Sequence, residues 1–190
     1  MLFRSVLNLS GEIRKALHEY PILKRLVSVR LLSGGLRLAL PFLTLYATQE
    51  AGISLAWVGV LIVAQQVGAI LSNFAWIPLG NRSGTKAVIL SGLGLAVAAL
   101  AILLFSRSAV AFLFAFVFAG GAMSATIVGY SGYILELGTL EIRPFLFALE
   151  GVLLMPLYFS PLLGGWIADI GGYQAVLITG AALLVTALLL

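Results

Sequence analysis

LAWVGVLIVAQQVGAILSNFAWIPL, Leu55–Leu79, is followed by GNRSGT, Gly80–Thr85, and then by KAVILSGLGLAVAALAILLF, Lys86–Phe105. Two continuous apolar runs are joined by a short basic link bounded by glycine. Each run reaches the roughly 20 apolar residues that a helix needs to cross the hydrocarbon core of a bilayer. Neither alternates apolar with polar, so barrel strands do not fit. The pair therefore reads as two membrane helices and an intervening turn.

The same pattern extends in both directions. Further apolar runs occupy Leu26–Tyr46, Ala109–Leu137, Pro144–Ala168 and Tyr173–Leu190, which gives six expected spans. Turn residues or charges separate them: Thr48–Gly52, Ser106–Ser108, Gly138–Pro144 and Asp169–Gly172. The whole 190-residue chain agrees, being 62% hydrophobic and 9% charged with a mean hydropathy of +1.14. A water-soluble domain carries roughly 25% charged residues. A disordered chain, a nucleic-acid module and a disulfide scaffold are also excluded, the last because cysteine is absent.

Residues 1–25 differ, with Arg4, Arg14, Lys15, Lys24 and Arg25 among spaced apolar residues. They read as an amphipathic segment on the membrane surface, with Ser10 as a helix cap, or as a loose cytoplasmic tail. Basic residues mark the cytoplasmic side of a membrane protein. These five, with Arg82, Lys86 and Arg143, fall on one side, and Arg107 falls on the other. Both termini are therefore expected in the cytoplasm, with the chain in the plasma (inner) membrane. The formal charge of +4 thus concerns orientation in lipid, not a nucleic-acid partner. The last run stops at Leu190 without a polar flank, so a fragment of a longer protein is expected.

Ionisable groups inside a span cost roughly 2.5–3.5 kcal/mol each and need partners. Arg30 and Arg37 share a face of the first span, and Glu150 lies in the fifth. At 1.5 Å per residue, Arg30 and Glu150 lie at similar depths from the cytoplasmic side, which predicts an ion pair. That pair is either a gating or coupling device or a static contact, with Arg30 snorkelling as a further reading. Arg37 lies near the midplane, where it either lines a solute cavity or bonds neighbouring carbonyls. The second span holds Gln65, Gln66 and Asn73, and Gln66 and Asn73, seven apart, form a polar stripe. Ala64, Gly68 and Ser72, and Gly121, Ala125 and Gly129, form small-residue faces suited to close packing.

Several chemical motifs fail. His18 is the one histidine, so neither a metal cluster nor a zinc-protease pair is available. No cofactor is expected. Gly80–Lys86 has the wrong order for a phosphate loop. Gly129-Tyr-Ser-Gly132 resembles the nucleophile motif of rhomboid-type intramembrane proteases. The histidine base that this family carries in its sixth span is missing, which leaves a protease as a minor alternative.

Ile77-Pro-Leu-Gly-Asn-Arg-Ser-Gly-Thr-Lys86 is more specific. It resembles the loop signature Gly-x-Leu-x-Asp-Arg-x-Gly-Arg-Lys of the major facilitator superfamily, with Leu79, Arg82, Gly84 and Lys86 matching. Ile77, Asn81 and Thr85 depart from it, as in the degenerate copy of the second half. Glu136–Pro144 and Ser160–Tyr173 resemble the tenth-to-twelfth helix region of bacterial facilitators. The resemblance implies an all-α membrane protein: a six-helix C-terminal half of two inverted three-helix repeats over residues 26–190, with residues 1–25 as the linker.

It further implies a symporter or antiporter that moves a small solute by alternating access, with no enzymatic activity. The partner would be the missing N-terminal half or a second copy. Arg37, Gln66 and Tyr130 are the expected solute contacts. Arg30 with Glu150, and Arg82 with Glu136, are the expected gating or coupling pairs. A transport-inactive scaffold or assembly subunit is the competing reading.

Overall fold

A computed structural model describes residues 21–137, 140–141 and 143–190. The surface segment expected over residues 1–25, including Ser10 and His18, lies outside the described residues as far as Tyr20. The described residues form α1 (Pro21–Leu32), α2 (Gly35–Gln49), α3 (Leu55–Ser83), α4 (Thr85–Phe105), α5 (Ala109–Leu137), α6 (Arg143–Leu153) and α7 (Ser160–Leu189). A short 3-10 helix, Met155–Phe159, joins α6 to α7.

Among the described residues, five helical stretches are long and apolar enough to cross a membrane: Lys24–Gln49, Leu55–Ser83, Thr85–Phe105, Ala109–Leu137 and Arg143–Leu189. The fifth combines the last two expected spans. Its 47 residues would extend about 70 Å as one straight helix, more than twice a bilayer core. It is not straight. Gly172 has φ 72° and ψ 179°, outside the helical region.

The packing on either side of Gly172 explains this break. Gly164 lies against Leu38 and Phe42 of α2, and Gly180 lies against Gly35 of the same helix. Sixteen residues of straight helix would set those two glycines about 24 Å apart. Their α2 neighbours are only a few residues apart. Tyr173 meets the far end of α2, its hydroxyl donating to Gln49 Oε1 at 2.8 Å, whereas Arg25 donates to the Leu190 carbonyl near the opposite end. The chain therefore turns back at Gly172.

The turn between α3 and α4 is just as tight. The expected loop Gly80–Gly84 is helical as far as Ser83, and Gly84 alone breaks it with φ 82° and ψ 167°. A single residue in a region nearly restricted to glycine replaces a loop.

Two interruptions fall inside expected spans. Ser33-Gly34 separates α1 from α2, so the first span is broken near its middle. The fifth breaks at Leu154–Phe159, where Pro156 lacks the backbone N–H that an α-helix requires. The two breaks touch: a Cβ on Gly34 would strike the Leu157 side chain.

α5 is the packing centre. Small residues of α3 and α5 admit close neighbours: Gly68, Ala125 and Gly129 belong to the expected faces, and Gly120 lies beside them. A side chain on Gly68 would meet the Val117 carbonyl, and one on Gly120 the Gln65 carbonyl. Gly92 of α4 packs on Ala125. Polar groups between α3 and α5 are satisfied across the contact. Trp76 Nε1 donates to the Gly121 carbonyl at 3.1 Å, and Ser124 Oγ donates to Asn73 Oδ1 at 2.8 Å. Fixed neighbours on both sides give α5 a defined rotation, and that rotation aims Tyr130.

Candidate functional site

The break between α1 and α2 leaves Arg30 in the last turn of α1, where a cation complements the negative end of the helix dipole. Its side chain is largely buried. Nε lies 3.6 Å from Glu150 Oε1 of α6, and Cζ stands 4.4 Å from the centroid of the Tyr130 ring of α5. Three helices thus converge on one guanidinium. At 4 Å two unit charges attract by about 4 kcal/mol at an effective dielectric of 20, and a facing ring adds a cation–π contact. Glu150 and Tyr130 together offset the cost of holding Arg30 within a spanning stretch.

Two polar atoms there have no hydrogen-bond partner among the described residues: Arg30 Nε and the Tyr130 hydroxyl, both fully buried. Such groups are uncommon in folded proteins, and Arg30 Nε is the atom that faces Glu150 Oε1.

Beside this cluster lies a cavity of about 50 Å³, lined by Arg30, Ser33 and Arg37 from α1 and α2, Met123 and Thr126 from α5, and Leu157 from the 3-10 helix. Arg37 is exposed, with Cζ 5.6 Å above the ring of Tyr158. Among the described residues it has no carboxylate partner. A second cavity, about 200 Å³, opens towards the Arg25 end. Tyr130 and Tyr133, Lys86 and Ile89, and Arg25 line it. Tyr130 borders this larger cavity while Arg30, stacked on its ring, borders the smaller one. The Arg30–Tyr130 stack therefore stands between the two.

The structure thus brings together Arg30, Arg37, Tyr130 and Glu150. It does not bring in the others. Gln66 is exposed on α3 and lines neither cavity; Gln65 instead reaches α5, its Nε2 donating to Met123 Sδ at 3.1 Å. The expected Arg82–Glu136 pair is absent among the described residues. Arg82, in the last turn of α3, is exposed. Glu136 Oε2 instead accepts from Thr85 Oγ1 at 2.9 Å. The physical reason is that the first turn of α4, not the last of α3, lies against the end of α5: Thr85 also crowds Gly132.

The protease-like tetrad has a packing role. A Cβ on Gly129 would stand 2.7 Å from Ile89, and one on Gly132 would stand 2.6 Å from Thr85. Sequence reasoning missed Tyr158, Thr126 and the two helix breaks that open the cavity. Ser33-Gly34-Gly35 and Met155-Pro156 were the available signals.

In comparison with known proteins, the family model of the Major Facilitator Superfamily matches residues 26–190. No curated protein matches the chain.

Proposed function

Since this chain belongs to the Major Facilitator Superfamily, a family of membrane transporters, we propose that it is one six-crossing half of a secondary transporter that moves a small solute by alternating access. The observation carrying this reading is the Arg30–Glu150 pair at 3.6 Å, beside a cavity at two broken helices. Broken helices and intramembrane charges mark transporter solute sites, because freed backbone groups and ions are tolerated only beside protein or a polar cavity.

Six crossings follow if Gly172 reverses the chain across the membrane as Gly84 does, which the like conformations of the two glycines support. Two inverted three-helix repeats would then build this half. Arg37 and Tyr130 are the proposed solute contacts. Gln66 would join them only across the surface that an N-terminal half or a second copy covers. Arg30 with Glu150 is the proposed gating or coupling pair, and Arg82 and Glu136 act separately at the membrane surface. The basic end is cytoplasmic in this reading, and the membrane is the plasma (inner) membrane.

Flux measurements test the proposal. The chain has no cysteine, so one placed at position 37 reports water access without background. A polar cavity predicts rapid modification of Arg37→Cys by a membrane-impermeant thiol reagent. It also predicts ATP-independent uptake into proteoliposomes under an ion gradient, lost in Arg30→Gln. An unreactive cysteine together with no gradient-driven flux would retire transport in favour of a scaffold.

A further inference from the structure

From the geometry around Arg37 we infer that the solute is an aromatic monocarboxylate, its carboxylate held between Arg37 and Arg30 and its ring laid at the cavity mouth beside Tyr158. This rests on the transporter reading only for the word solute; the site itself is defined by the residues.

Charge comes first. Among the described residues, the ionised groups that line or contact the smaller cavity are Arg30, Arg37 and Glu150. Two guanidiniums and one carboxylate leave a formal charge of +1, which one anionic group balances. Arg30 already faces Glu150, whereas Arg37 faces the Tyr158 ring and no carboxylate among the described residues. A lone cation in a spanning stretch is costly, and an incoming anion removes that cost.

Donor direction agrees. Ser33 Oγ donates to the Arg30 carbonyl and Thr126 Oγ1 to the Ala122 carbonyl, so both hydroxyl protons are committed. The donor left open on this cavity is the Arg37 fork, beside the Arg30 guanidinium, whose Nε faces Glu150. Guanidinium forks match a carboxylate in a bidentate manner. A cation or a neutral hydroxyl compound would leave that fork without an anionic acceptor.

Size then divides the solute in two. About 50 Å³ holds a group of roughly one or two waters' volume, which admits a carboxylate but not a ring. The remainder must lie at the mouth. There the surface is apolar and aromatic, with Tyr158 69% exposed and Ile127 67% exposed. An aromatic body stacks offset or edge-on against Tyr158 and stays within reach of the Arg37 guanidinium.

Equilibrium binding of radiolabelled benzoate to the purified full chain in lipid nanodiscs tests this. Saturable binding is expected, with acetate, benzyl alcohol and benzylamine each competing at least about tenfold less well, the scale of one charge-assisted hydrogen bond or one buried ring. Arg37→Gln should weaken benzoate at least about tenfold, with Arg37→Lys intermediate, which also shows that the variant site is folded. Tyr158→Leu should narrow the gap between benzoate and acetate.

No saturable benzoate binding overturns the inference, as does equal competition by benzylamine or benzyl alcohol. So does benzoate affinity unchanged in Arg37→Gln, the result expected if an acid from another segment already neutralises Arg37. The transporter reading fails separately. Benzoate binding with this signature but no gradient-driven flux retires transport and leaves the ligand class standing. Flux of another solute that benzoate does not inhibit does the reverse.

Discussion

Gly180 packs backbone to backbone on Gly35. A Cβ added to Gly180 would stand 2.7 Å from the Gly35 carbonyl oxygen, and one added to Gly35 would collide with the Gly180 carbonyl. This mutual approach seats the last helical segment on α2, directly after the break that leaves Arg30 at the end of α1. In lipid there is no hydrophobic drive between helices, so such close contacts supply much of the association energy.

Alanine at either of these glycines should therefore destabilise the fold. Overpacking costs typically about 1–3 kcal/mol, and here the obstacle is backbone, which does not swing aside. Gly59 and Gly94 have nothing within 4 Å of an added Cβ. Alanine there should be neutral or should stabilise by up to about 1 kcal/mol through helix propensity. Thermal unfolding in detergent of the four single variants gives the comparison. Equal melting points for Gly35→Ala and Gly94→Ala would contradict it.

Gly172→Ala and Gly84→Ala should each cost about 1–3 kcal/mol for a different reason. Nothing lies within 4 Å of an added Cβ at either site, but their φ values of 72° and 82° are strained for any L side chain. The neighbouring Gly171 lacks that conformation. Gly171→Ala, which meets the Ala175 side chain, should repack more cheaply than Gly172→Ala strains. Chemical denaturation of the pair would reveal the order, and a reversed order would mean that the turn does not depend on Gly172.

These glycines mark the boundary of what the sequence made legible. Apolar runs are legible because lipid imposes length and composition on every crossing. Ala109–Leu137 was expected and found with the same ends. The breaks at Ser33-Gly34 and Met155–Phe159 were not legible from hydropathy, and only the local Ser33-Gly34-Gly35 and Met155-Pro156 pointed to them. They matter because they open the cavity. The Arg30–Glu150 approach could be read from depth, as both residues are fixed at known rises along their helices. The Arg82–Glu136 pairing could not, because it turns on rotation: Thr85 rather than Arg82 faces the end of α5. Tyr158 belongs to a 3-10 turn whose direction no helical period predicts.

At the other end of the bundle from Arg30, Arg107 Nη2 lies 3.6 Å from Glu50 Oε2, with the two side chains 52% and 33% exposed. An exposed ion pair contributes about 0–1 kcal/mol and is screened by salt. Arg107→Gln should therefore change stability by less than about 1 kcal/mol, and the change should shrink in high salt. Arg107 also stands 5.8 Å from the Tyr46 ring, a contact that salt screens less. A large, salt-insensitive loss in the unfolding midpoint would move the weight from the ion pair to that ring.

The same distance at Arg30 and Glu150 predicts a different outcome, because both side chains are about 15% exposed instead of half-exposed. Replacing one partner leaves the other ion buried without its countercharge, and breaking a buried pair in this way costs about 3–5 kcal/mol. Arg30→Leu and Glu150→Leu should each approach that loss. Arg30→Leu also removes the cation from the Tyr130 ring, so it should be the more damaging of the two. The double variant should regain most of the stability, since apolar residues of similar volume suit a spanning segment. A double-mutant cycle on unfolding in lipid micelles measures the coupling directly. Losses that simply add would show that Arg30 and Glu150 are stabilised independently, by the ring and the helix terminus on one side and by solvent on the other. Recovery of stability in the double variant without recovery of solute flux would separate the pair's structural role from its proposed role in transport.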